Sequence, residues 1–279
     1  MILVALACSY LSTLMLSAVA IWAERTLLGL GRPCRGAWVF VAMTSVVLSG
    51  ALLLEAQTLG MYLRDWITER IGGQAWYAAS TSSILKFFLT LGSALFALIV
   101  TLELVKAKRV TRGWGHGHLD ATPVRLSEDF GPATFGFFRP EVVMPRWLLS
   151  ADAQTRAAAV AHEQEHIAAH DRLMSLLGLA LIIVLPWNLL LHWQVRRLRR
   201  AIELDCDARV VYRRRALNAS AYARALERIY IGANPGVVPT IMAEQGSYIN
   251  DRIYLLLARH QRSADRAEAR GRPGAGHDI

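Results

Sequence analysis

His162-Glu163-Gln164-Glu165-His166 places two imidazoles four residues apart, with a carboxylate directly after the first. On a helix, positions i and i+4 lie about 40° apart around the axis and one turn apart along it, so both rings reach one tetrahedral ion while Glu163 reaches the attacking water. That is the HExxH signature of zinc-assisted peptide hydrolysis, and composition alone would generate it in roughly one chain of this kind in a hundred. The Ala-rich run from Ala151 to Ala169 carries the motif on a strong helix former, with Ser150 as the expected N-cap and Asp152 in the first turn.

A catalytic zinc keeps three protein ligands, so a third is owed. The candidates are His170, His192 and Glu203. His170 extends the same helix, and three ligands along one straight helix cannot surround an ion, so it reads as a supporting or solvated side chain. His192 lies in an apolar run between Leu191 and Trp193 and reads as packed. Glu203 is preferred on geometry. Pro186-Trp187-Asn188 interrupts the apolar segment from Leu173 to Trp193, which favours a helical hairpin over a span. From Trp187, His166 is 21 residues back and Glu203 is 16 forward, an axial mismatch of roughly 7.5 Å at the helical rise that tilt can absorb. Glu203-Leu-Asp-Cys-Asp207 then sets Glu203 to bind the ion and Asp207, one turn on, to orient a ligand, with Asp171 as a weaker orienting candidate. Cys206 is assigned only packing.

The elements around this motif point to a membrane protein. The chain has 279 residues, 54% hydrophobic and 19% charged, with mean hydropathy +0.30; a soluble norm is roughly 45 to 50% apolar and about 25% charged. This excludes a wholly soluble globule and a disordered chain alike. Three stretches reach spanning length, Met1 to Trp22, Ala37 to Leu59 and Ser83 to Val105. Arg25, Arg32 and Arg35 follow the first, and Lys106, Lys108, Arg109 and Arg112 follow the third. The positive-inside rule therefore puts the N-terminus outside and everything after Val105 in the cytoplasm, as expected for a multi-pass protein of the inner membrane. Arg196, Arg197, Arg199 and Arg200 hold the returning hairpin helix on that side. Glu55 and Lys86 sit at similar depth, where they either pair or snorkel to the interface. The net charge of +9 thus has a membrane explanation, and no nucleic-acid motif accompanies it. Three unpaired-looking cysteines give no disulfide framework. Ser83-Ile-Leu-Lys86 matches an S-x-x-K motif by chance, and the sequon Asn218-Ala-Ser220 falls on the cytoplasmic side, where it is silent.

Between Lys106 and Met144, Gly113 to His118 reads as loop, while 133–138 and 141–144 read as two short strands split by Arg139-Pro140. The expected fold is a mainly α membrane protein with three transmembrane helices, followed by a cytoplasmic α+β zincin-like peptidase domain with a small strand hairpin and a membrane-dipping helical hairpin. The expected organisation is a membrane domain over 1–105, the peptidase domain over 106–258 and a disordered basic tail over 259–279. Thr134, Phe135 and Gly136 are the candidate substrate-binding strand, which would take an extended peptide at a sheet edge; a purely structural hairpin is the other reading.

Gly136-Phe-Phe-Arg-Pro140 with Val142-Val-Met-Pro145, HEQEH with Asp171, and Glu203-Leu-Asp-Cys-Asp207 together resemble the membrane-anchored zinc peptidases of the BlaR/MecR type, and more distantly the HtpX and CaaX-processing peptidases. The resemblance implies one Zn2+ per chain held by His162, His166 and Glu203, Glu163 as general base, and a protein substrate such as a transcriptional repressor. Family members that sense beta-lactams carry a fourth span and an external penicillin-binding domain; no apolar run of spanning length follows Trp193 here, so beta-lactam sensing is not expected. Any signal would enter through the outer loop from Gly60 to Ser82 or through a partner. Two other readings remain: a non-catalytic membrane regulator using the zinc-site fold as a binding surface, and a general quality-control protease.

Overall fold

The computed structural model describes residues 2–71, 76–128, 130–136, 138–213, 218–232, 249–258 and 261. The chain forms helices α1 (Ile2–Gly29), α2 (Arg35–Ile71) and α3 (Trp76–Arg112), then strands β1 (Gly115–Leu119), β2 (Thr122–Ser127), β3 (Ala133–Phe135) and β4 (Glu141–Pro145). Helices α4 (Ala153–Ala168), α5 (Asp171–Val184), α6 (Leu189–Arg213) and α7 (Ala219–Gly232) follow, and a last helix, α8, covers 249–258. By internal contacts it divides into two compact units, Met1–Lys108 with Leu173–Ile202, and Arg109–Arg172 with Glu203–Ile279. Helix α6 contributes to both. The hairpin expected inside 106–258 groups with the span helices, and the basic tail lies outside the described residues except for residue 261.

In the first unit, Val4–Gly29, Arg35–Glu55 and Lys86–Arg112 are long and apolar enough to cross a membrane. The outer loop expected over Gly60 to Ser82 is instead helical over 60–71 and 76–82, because a segment too polar to span can still be a good helix former. Arg70 stacks over Trp66 one turn earlier, at 5.6 Å from the ring centroid. Glu55 and Lys86 are both exposed, and no ion pair joins them among the described residues.

The hairpin of α5 and α6 forms where Pro186 forbids a continuous helix. Asn188 caps α6 by accepting from the Leu191 N–H at 3.2 Å. Gly178 lets α6 approach α5 closely, since a Cβ there would meet Val195 Cγ1 at 3.0 Å. Polar groups then fasten the hairpin to α1 and α2. The Gln194 amide nitrogen lies 2.9 Å from Ser17 Oγ, 3.1 Å from Ser45 Oγ and 3.2 Å from the Thr13 carbonyl. Asn188 Nδ2 donates to Thr13 Oγ1 at 3.1 Å, and the Tyr10 hydroxyl donates to the Trp187 carbonyl. Helices buried among apolar spans gain little from the hydrophobic effect, so such hydrogen bonds supply much of their specificity. His192, expected to be packed, rests its ring 5.9 Å from Phe96 and hydrogen-bonds the Pro186 carbonyl at 2.8 Å.

In the second unit, four strands form one mixed sheet in the order β1-β2-β4-β3. β1 pairs antiparallel with β2, β2 parallel with β4 and β3 antiparallel with β4, with Thr134 opposite Val142. The predicted β3/β4 hairpin is present, but Gly113 to His118, read as loop, supplies β1: its glycines and histidines hide a strand whose stabilising partner is β2. Gly136 ends β3 at φ 93°, and a Cβ there would strike the Arg139 carbonyl at 2.6 Å, so the turn itself requires glycine.

Helix α4 is capped by Asp152, not by Ser150: the Asp152 carboxylate accepts from the Thr155 N–H at 2.9 Å and from its hydroxyl at 2.7 Å. One face of α4, Ala158 and Ala161, packs with Tyr222, Ala225 and Leu226 of α7 and with Leu256 of α8; Ala159 joins Val142, Met144 and Leu148 over the sheet. Small side chains let α7 come close. The sequon residue Asn218 caps α7 by accepting from the Ala221 N–H at 2.7 Å.

Candidate metal centre

Helix α4 turns His162, Glu163 and His166 inward, and all three are buried. The two rings lie edge to face with centroids 4.6 Å apart and their Nε2 atoms 3.1 Å apart. Glu203 of α6 meets them with Oε2 3.3 Å from His162 Nε2 and Oε1 3.5 Å from His166 Nε2. Two zinc ligands at 2.0 to 2.1 Å in tetrahedral array stand about 3.3 Å apart. The three separations bracket that value, so the residues fit a single zinc.

The opposite ring nitrogens are both held. His166 Nδ1 lies 2.8 Å from Asp171 Oδ2, which also accepts from Arg209 Nη2 at 2.8 Å. His162 Nδ1 lies 2.8 Å from the Tyr222 hydroxyl, which donates to Asp207 Oδ1 at 2.9 Å. Because the tyrosine proton goes to Asp207, its oxygen accepts from His162 Nδ1–H, and Nε2 is left to face Glu203 and His166. Asp207 also receives Arg252 side-on, with Nε and Nη2 each at 2.7 Å. Asp171 and Asp207 thus stand where the sequence expects orienting carboxylates, although Asp207 works chiefly through Tyr222, its own oxygen being 3.4 Å from His162 Nδ1. His170 lies exposed at φ 56° in the break between α4 and α5, away from the helical face it was expected to extend.

Cys206 is closer to this chemistry than packing alone requires. Its Sγ is 3.4 Å from His162 Nδ1, and it lies within 4.8 Å of ligand atoms of both histidines, so it belongs to the group of residues that could hold a metal. It meets His162 on the Nδ1 side, whereas Glu203 meets both histidines on the converging Nε2 side, and that favours Glu203 as the third ligand. Burial disfavours charge on every group here, but the neighbours overcome it. Cys206, Tyr222 and the hydrogen bond with Asp207 raise His162 well above the ordinary histidine value. Cys206, Glu203 and Asp171 push His166 up to about 10. His166 and Arg252 hold the Glu203 carboxyl well below the usual carboxylate range, and Arg252 does the same for Asp207. Without a metal, the two imidazoles therefore hold protons that a bound cation would have to displace.

Thr134 of β3 touches the motif directly. Its hydroxyl donates to Glu163 Oε2 at 2.7 Å and lies 3.2 Å from the Glu163 carbonyl. Phe135, on the other face of the strand, meets Trp114 edge-on at 5.9 Å. Of the three strand candidates, only Thr134 hydrogen-bonds Glu163 among the described residues. Tyr222 and Arg252 were missed, since nothing in the spacing of α7 or α8 ties them to the motif.

No curated protein matches the chain. Residues 123–256 match the model of the BlaR1 peptidase M56 family. That stretch runs from β2 to α8 and includes HEQEH, Glu203, Asp207, Tyr222 and Arg252. That match, beside three helices apolar enough to span a membrane, supports a member of the BlaR/MecR-type peptidase family.

Proposed function

We propose that the protein is a membrane-anchored, zinc-dependent endopeptidase that cleaves a protein substrate on the cytoplasmic side of the inner membrane, in signal-responsive regulation such as inactivation of a transcriptional repressor. The observation that carries this reading is the triangle of His162, His166 and Glu203 donor atoms with Glu163 alongside, fixed by Thr134. One zinc per chain, when bound, polarises the scissile carbonyl and acidifies water to a pKa near 7. Glu163 takes the proton of the attacking water and passes it to the leaving amine. Thr134 keeps that carboxylate aimed, and the β3 edge lines up an extended peptide beside it. Asp171 and the Tyr222–Asp207 pair hold both imidazoles in the tautomer that presents Nε2. The basic residues after the third span support the cytoplasmic placement.

The test is to purify wild type and Glu163→Ala in detergent, measure bound zinc, and follow cleavage of the chain itself and of a candidate repressor. Both proteins should carry one zinc, and the variant should lose about 10²- to 10⁴-fold in cleavage rate. Zinc in both with cleavage by neither would overturn the peptidase reading; no zinc in the wild type would overturn the site.

A further inference from the structure

The ligand triangle and its general base leave open which protein group stabilises the negative charge that grows on the substrate carbonyl oxygen. Arg252 of α8 is placed for it. Its side chain is 7% exposed. Asp207 grips the guanidinium from one side through Nε and Nη2, each at 2.7 Å, which fixes the plane of the group. The opposite edge faces the ligand atoms: Nη1 lies 3.3 Å from Glu203 Oε2, and Nη2 lies 3.4 Å from His162 Nε2. These separations fall within the range of those among the ligand atoms themselves, so the guanidinium borders the same small space. A zinc held by these three residues would keep a position for the reacting group, and Arg252 is among the side chains that border this space.

The chemistry of the group suits the task. A guanidinium stays protonated at every working pH, and its planar fork presents hydrogens in fixed directions. Held rigidly by a buried carboxylate, it needs no reorganisation when charge develops, and a buried donor of this kind acts at low effective dielectric.

We propose that Arg252 is a catalytic residue that donates a hydrogen bond from its guanidinium to the carbonyl oxygen of the scissile peptide as that oxygen becomes an oxyanion. The proposal rests on the peptidase reading above and names a residue that the HExxH and Glu203 motifs do not contain. Asp207 thereby serves two partners: it steadies His162 through Tyr222 and aims Arg252 at the substrate.

The experiment compares wild type, Arg252→Lys and the double variant Asp207→Asn with Arg252→Gln. The double variant removes both charges of the buried pair, so it folds without an uncompensated ion if Arg252→Lys does not. For each protein, bound zinc, kcat and KM on a peptide that the wild type cleaves, and affinity for a phosphonate analogue of that peptide are measured. Assayed at zinc concentrations that saturate each variant, so that the weaker zinc binding expected of Asp207→Asn does not limit occupancy, and with KM within about threefold, kcat should fall about 10²- to 10³-fold. Phosphonate affinity should fall in step with kcat/KM, because the analogue carries the charge that only the transition state acquires. Unchanged kcat with zinc retained, or a loss that merely follows lost zinc, would overturn the role of Arg252. A wild type that binds zinc yet cleaves no peptide fails differently: it removes the peptidase reading beneath the proposal.

Discussion

Two buried carboxylates, one in each unit, show how the same ingredients serve different ends. Glu24, at the end of α1, accepts from Trp38 Nε1 at 2.8 Å, Arg197 Nη2 at 3.0 Å and Arg200 Nη1 at 2.6 Å. Its contacts end on groups that have only hydrogens to give, so the cluster is closed. Asp207 likewise takes a bidentate arginine, but its other partner is a hydroxyl that accepts from His162. The chain of contacts runs on through an imidazole to its Nε2, which faces Glu203 and His166. A closed ion cluster fastens helices; one that ends on an inward-facing imidazole nitrogen prepares a site for a cation.

The sharpest way to break this comparison is to neutralise each carboxylate. Glu24→Gln and Asp207→Asn should each destabilise their unit by about 3 to 5 kcal/mol, since each strips the charge from an acceptor of several buried or part-buried hydrogen bonds, from Trp38, Arg197 and Arg200 in one case and from Arg252 and Tyr222 in the other; denaturant unfolding in detergent would measure it. Only Asp207→Asn should also weaken zinc binding, by about 10- to 100-fold in chelator competition. Equal zinc losses in the two variants would erase the distinction.

A smaller change isolates the relay. Tyr222→Phe keeps the ring that packs against Ala158 and Ala161 but removes the oxygen between Asp207 and His162. Stability should fall by about 1 to 3 kcal/mol from the unpaired groups, and zinc affinity by about tenfold or more. A variant with wild-type zinc affinity would show that His162 needs no partner at Nδ1.

The difference between what was legible in the sequence and what was not follows from distance along the chain. His162, Glu163 and His166 sit on one helix, where a period of 3.6 residues converts spacing into shared direction, and Glu203 with Asp207 repeats the device. The hairpin that brings them together was readable because proline acts locally. Tyr222 and Arg252 reach His162 from 60 and 90 residues away, on helices whose positions depend on packing of the whole unit. β1 was hidden for the same reason: its strand character lives in its register with β2, Gly117 opposite Val124, and not in its own residues. The α2 and α3 extensions were missed because hydropathy reports where a helix can span and is silent on where it stops.

Proton and metal compete for the same atoms, which gives a milder, pH-dependent test. His166 titrates at about 10, raised from 6.5. In the metal-free protein the stability tied to that proton is full below about 6.5 and is lost as pH rises through about 10. Zinc must displace the proton, so its affinity should climb with pH across that interval, by up to about tenfold per unit for each proton released. Calorimetry in buffers of different ionisation enthalpy counts those protons. Cys206→Ala removes the neighbour that does most to raise both histidines, so it should reduce the number released near neutral pH while leaving Glu24 and its arginines untouched. An unchanged proton count would mean that the thiol does not set the charge of the pair.

The smallest expected effect concerns an exposed carboxylate, which marks the lower limit of what such groups contribute. Asp152 caps α4 through Thr155 and pairs with Arg228 at 2.6 Å, and these contacts, the two from Thr155 foremost, bring its pKa down to about 2. A depressed carboxylate contributes stability above its unfolded value, and that contribution disappears as pH falls through about 2. Asp152→Asn retains an N-cap acceptor but no charge, so it should cost less than Asp152→Ala and should flatten the acid limb of the stability curve, read by circular dichroism between about pH 2 and 5. Neither variant should alter zinc affinity at neutral pH: the cap secures the start of α4, ten residues before His162, while Asp171, Tyr222 and Glu203 fix the imidazoles at its other end. A loss of zinc in Asp152→Asn would mean that the ligand geometry depends on the whole helix and not on the groups that grip the rings.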